Sequence, residues 1–68
     1  MKLSARNQIK GRVTNIRKGQ TTAHVRLDIG NRVIVTASIT NEAVDELDLK
    51  PGDEAIAVIK ASDVMIAK

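Results

Sequence analysis

The chain has 68 residues with a net charge of +3, one His, and no Cys, Phe, Tyr or Trp. This length makes one domain, residues 1–68, whose core is marginal alone; with no Cys for disulfides and too few ligands for a structural metal, self-association is the expected supplement. The lack of aromatics removes the platforms on which unpaired bases stack, so a nucleic-acid-binding barrel falls behind other uses of a mild positive charge.

Ile9, Gly11 and Val13 alternate with Lys10, Arg12 and Thr14, the period of a half-buried strand running to about Ile16. Lys18 and Gly19 make the turn. From Thr21 to Ile29 the alternation is cleaner, with Ala23, Val25, Leu27 and Ile29 on one face and Thr22, His24, Arg26 and Asp28 on the other. Gly30 and Asn31 suit the positive backbone angles of a hairpin, after which Val33 to Ile39 reads as an aliphatic strand. The period then changes. Ala43, Val44 and Leu47 fall at helical spacing behind Thr40 or Asn41, either of which is a helix cap, and the pattern lasts about two turns. Lys50, Pro51, Gly52 and Asp53 form a turn, and Ala55, Ala57 and Ile59 share one side of a fourth strand. Past Ala61, Ser62 and Asp63, a fifth strand is expected to carry Val64 and Ile66, with Met65 filling the core. The expected fold class is all-β: a small five-stranded antiparallel barrel of the oligonucleotide-binding type, with one short helix between strands 3 and 4.

Three places hold groups able to receive an anion. Ser4-Ala5-Arg6-Asn7-Gln8 gathers a hydroxyl, a guanidinium and two amides ahead of the first strand, and also reads as a solvated lead-in. Lys60-Ala61-Ser62 follows the fourth strand, where an edge Lys and a turn Ser are the ordinary alternative. Thr40 opens the helix, where capping by itself accounts for it. His24 reads as a surface residue, and Asp45, Glu46 and Asp48 as the wet face of the helix. No nucleophile paired with a base and no Gly-rich phosphate loop is present, so the chain is not expected to be an enzyme.

Three stretches carry a likeness beyond periodicity: Lys2-Leu3-Ser4-Ala5-Arg6-Asn7-Gln8-Ile9-Lys10-Gly11, Ser38-Ile39-Thr40, and Val58-Ile59-Lys60-Ala61-Ser62-Asp63-Val64-Met65. Through them the chain, from Met1 to about Ile66, resembles the molbindins, the small Mop-type oxyanion-binding proteins whose domain also occurs in molybdate-responsive regulators and transport ATPases. The resemblance implies a homo-hexamer built as a trimer of dimers, holding molybdate or tungstate between subunits without an organic cofactor. It implies Ser4, Arg6, Lys60 and Ser62 as primary ligand residues, main-chain N–H groups around Ala5 and Ala61 as helpers, and Thr40 reaching in from a neighbouring subunit. Relatives often carry Ser where this chain has Ala43, so one hydroxyl donor is missing from the pattern. No charged lead-in to an apolar run opens the chain and no apolar run nears membrane-spanning length, so a cytoplasmic location is expected.

Overall fold

The computed structural model describes residues 2–68. Four strands and one helix follow in the order β1 (Asn7–Lys18), β2 (Thr22–Asp28), β3 (Ile34–Thr40), α1 (Asn41–Glu46) and β4 (Glu54–Ile59), closed by a single 3-10 turn at Ala61–Asp63. The strands form one antiparallel sheet in the order β3-β2-β1-β4. β1 is nearly twice the length of its neighbours: β4 pairs with its first half, from Asn7 to Arg12, and β2 with the stretch from Arg12 to Lys18.

The expected alternation in β2 is realised, with Ala23, Val25 and Leu27 buried and the residues between them exposed. Val13 joins them from β1, and Val44 of α1 closes the core from above. In β1 the apolar residues Val13 and Ile16 stand three apart, which strict alternation would place on opposite faces. A bulge at Thr14 resolves the conflict: Val13 pairs with Leu27 and Asn15 with Arg26, so Ile16 returns to the inner face opposite Val25. Gly11 is required by close packing, since a Cβ there would lie 2.7 Å from both the Asp28 carbonyl oxygen and Leu27 Cγ.

Thr40 caps α1, its Oγ1 accepting a hydrogen bond from the Ala43 N–H at 3.0 Å. Leu47, expected on the buried side, ends the helix and remains 66% exposed, because the chain turns at Asp48 and Leu49 packs against the core instead. The β2–β3 connection is wider than a two-residue hairpin. Gly30, Asn31 and Arg32 all take positive φ, and Val33 belongs to the turn, closed by the Ile29 N–H on the Val33 carbonyl at 3.1 Å. At the Lys50–Asp53 turn, Pro51 is followed by Gly52 at φ +95°, and the Asp53 carboxylate accepts from the Lys50 N–H at 2.9 Å.

The fifth strand is the main departure. Val64 and Ile66 pair with no strand, and the four-stranded sheet ends in β3 and β4 as edges, so no closed barrel forms among the described residues. Met65 is 92% exposed and fills no core. A strand exists only in a ladder with a partner, and these residues pair with neither free edge of the sheet.

Candidate functional site

The β1–β4 ladder runs from Arg12 opposite Glu54 to Asn7 opposite Ile59. Just outside that last pair lie residues 4–6, which lead into β1, and residues 60–62, which follow β4. The end of the ladder therefore brings the two donor clusters to the same end of the sheet. The pairing stops there, since the chain bends at Ser4 and Arg6 and β4 ends at Ile59. Ser4, Arg6, Lys60, Ala61 and Ser62 are exposed, and Ala5 is half-buried.

β4 stops at Ile59 because the chain turns. Lys60 is still extended, and the Asp63 N–H returns to its carbonyl at 2.9 Å, followed by the Val64 N–H on the Ala61 carbonyl at 3.3 Å. These bonds use the N–H groups of Asp63 and Val64. Those of Ala61 and Ser62 come first in the turn and have no partner within it, as at the start of any helical turn. Lys60 and Ser62 thus sit with two main-chain donors in a four-residue bend.

The charge balance of the two arms is positive: Lys2, Arg6 and Lys60 face a single carboxylate, Asp63. The ion pairs found among the described residues lie elsewhere, Lys18 with Asp45 at 2.6 Å and Lys50 with Asp48 at 3.0 Å. Arg6 and Lys60 belong to neither. Two of the amides that the sequence offers as donors are already engaged: Asn7 Nδ2 donates to the Ile59 carbonyl at 3.2 Å, and Gln8 Nε2 to the Ala5 carbonyl at 3.3 Å. Reading residue types could not separate these amides from the free donors, because an amide's direction is decided by what folds against it.

Thr40 is placed differently. It pairs with Thr22, next to the β2 residue that opposes Lys18. The length of β1, 12 residues, lies between it and Arg6; at about 3.3 Å per residue that is about 40 Å of strand, curled within a molecule 34 Å in its longest dimension. One chain does not bring Thr40 to the other candidates. Its hydroxyl oxygen accepts the Ala43 N–H, which leaves the hydroxyl proton to donate outward.

Two clefts open elsewhere. One of about 350 Å³ is lined by Lys10, Gly11, Arg12, Glu54, Ala55 and Ile56, and one of about 280 Å³ by Arg17, Lys18, Gly19, Thr22 and His24. Neither includes a residue of the two arms, and the first presents a carboxylate, a poor lining for an anion. His24 lies exposed on the outer face, as its alternation requires. Among the described residues no group of three or more His, Asp or Glu gathers as a cation site, and no helix is long and apolar enough to cross a membrane.

Comparison with known proteins places the whole chain in one family. The TOBE domain profile matches residues 3–66. A probable molybdenum-pterin-binding protein of Haemophilus influenzae is 47% identical over 66 residues, covering 97% of this chain and 96% of that protein. Among solved structures, a molybdate-binding protein from Sporomusa ovata superposes with a TM-score of 0.94 at 37% identity over the full length of both chains. The cytoplasmic molybdate-binding protein ModG, solved with molybdate bound, gives 0.91 at 48% identity, over 96% of this chain and 46% of that one. A match across nearly the whole chain, in sequence and in backbone, leaves one assignment: the chain belongs to the TOBE domain family, among its molybdenum-pterin-binding, Mop-type members.

Proposed function

We propose that this protein binds molybdate, or tungstate, as the intact oxyanion between copies of itself, for cytoplasmic storage or buffering. The observation that carries the reading is the last pair of the β1–β4 ladder, Asn7 with Ile59, from which the segment holding Ser4 and Arg6 and the segment holding Lys60 and Ser62 both leave at one end of the sheet. The molybdate-binding activity named for its relatives supports it. Those four side chains, with main-chain N–H groups at Ala5 and Ala61, make the ligand shell, and Thr40 is supplied by another copy, because its own chain holds it at the far end of β1.

Molybdate at neutral pH is a tetrahedral dianion without protons, so a shell made of donors satisfies all its oxygens. Phosphate keeps a proton that would need an acceptor, and leaving it unpaired costs about 1–3 kcal/mol. Sulfate has the same charge and shape as molybdate, so only size separates them. Each hydrogen bond to a charged partner contributes roughly 1.5–3 kcal/mol net, and three or four of them are enough for micromolar binding.

The assembly we propose is a hexamer, a trimer of dimers, in which residues 64–66 pair with a strand edge of another copy and complete a five-stranded barrel. The role is binding rather than catalysis, with no organic cofactor. Calorimetric titration with molybdate, tungstate and sulfate, read beside the solution mass, tests it. Saturable binding of the two larger oxyanions by an oligomer is expected; no heat with either, or equal affinity for sulfate, overturns the reading.

A further inference from the structure

Asn7 and Gln8 stand at the mouth of the proposed site, yet both turn their amides toward their own backbone. The Asn7 bond to the Ile59 carbonyl is partly buried and joins positions 52 residues apart. Asn7 follows Arg6 directly and Ile59 directly precedes Lys60, so this bond ties the backbone one residue inside each of the two cations. It reinforces the last rung of the ladder, at the open end of an edge strand, where pairing is otherwise free to fray. Gln8 braces the neighbouring bend by holding the Ala5 carbonyl, between Ser4 and Arg6.

We propose that Asn7 is a positioning residue that sets the size selectivity of the oxyanion site, its amide fixing the spacing between the Arg6 arm and the Lys60 arm. The proposal rests on the function given above. Donors held at a set spacing favour the anion whose radius fits them; donors free to close in accept a smaller one equally well. Molybdate and sulfate differ to such a site only in radius, so a loosened spacing is expected to show in their ratio before it shows in the fold. Asn7 itself touches no ligand in this arrangement.

The test is calorimetric titration of the assembled full chain with molybdate and, separately, sulfate, for the unaltered protein, Asn7→Leu and Asn7→Gln. Asn7→Leu, of the same branched shape but bulkier and without the donor, is expected to raise the molybdate Kd about tenfold, the lower range for loss of a residue that orients binding groups. It is also expected to narrow the molybdate-over-sulfate ratio, while Asn7→Gln, which keeps an amide donor, retains most of that ratio. An unchanged ratio in Asn7→Leu overturns the proposal. So does equal narrowing in both variants, which would mark a packing effect. Should Asn7→Leu fail to assemble, Asn7→Ser, too short to reach the Ile59 carbonyl, replaces it with the same expected outcome. Failure of the unaltered protein to bind molybdate overturns the proposed function instead, before any variant is read.

Discussion

Arg6 and Lys60 are exposed, belong to neither of the ion pairs found, and lie outside the buried core. Substituting either removes little that holds the chain together, since surface changes away from buried contacts mostly stay within about 0.5 kcal/mol. Arg6→Ala and Lys60→Ala are therefore expected to abolish detectable molybdate binding while urea unfolding midpoints stay near the unaltered value; binding within twofold of it would exclude these side chains as ligands. Thr40 has two roles, because its oxygen caps α1 while its proton remains free. Thr40→Ala is expected to lose about 1 kcal/mol of stability through the cap and to weaken molybdate binding as well. Thr40→Ser keeps the hydroxyl and is expected to preserve both. Equal affinities in the two variants, measured by titration beside denaturant unfolding, would confine Thr40 to capping.

At the scale of elements, β1 does the organising, because its two halves serve different partners. The Thr14 bulge lets one strand place Val13 and then Ile16 toward the same core, and it adds twist where β4 gives way to β2. The segment after the 3-10 turn is the opposite case: Val64, Met65 and Ile66 are 45%, 92% and 89% exposed, an apolar stretch that pairs with neither free edge of its own sheet. Removing residues 64–68 costs the single chain little burial beyond the covered half of Val64. If those residues pair with another copy, the truncated protein is expected to keep its β-sheet circular dichroism and to sediment as a smaller species at the same concentration. An unchanged solution mass would show that the tail takes no part in assembly.

The whole molecule exposes more surface than its mass warrants. A folded monomer of 7.4 kDa exposes about 4,200 Å² by the scaling of surface with mass, whereas this chain exposes 5767 Å². Its Cα radius of gyration, 12.4 Å, likewise exceeds the ~11 Å of a compact domain this long. The surplus, about 1,500 Å², is larger than one partner's share of a standard interface, about 800 Å². It includes the outward-facing Ile56 and Val58 of β4, which no element of this chain covers. Five buried residues make a thin core, so stability and assembly are expected to be coupled. A ligand held between copies then stabilises the assembly by mass action, about 2.7 kcal/mol at a hundredfold excess over Kd. For a chain of this size that raises the melting temperature on the order of 10 °C. Thermal unfolding with and without saturating molybdate measures it, and an unmoved transition would place the ligand outside any interface.

The amino-acid sequence by itself determined what depends on neighbours along the chain. The period-two faces of β2 and β4, the Pro51-Gly52 turn, the Thr40 cap and the two donor clusters are all set by residues within a few positions of one another. Tertiary structure decided the rest. The meeting of Asn7 with Ile59, which brings the Arg6 and Lys60 segments to one end of the sheet, depends on a register between residues far apart in sequence, and no local pattern encodes which step of one strand faces which step of another. The inward turn of Asn7, the re-phasing at Thr14 and the remoteness of Thr40 follow from that same pairing. Residues 64–66 have strand-like composition but no strand, because a ladder needs pairing with an edge and the fold sets these residues against neither β3 nor β4.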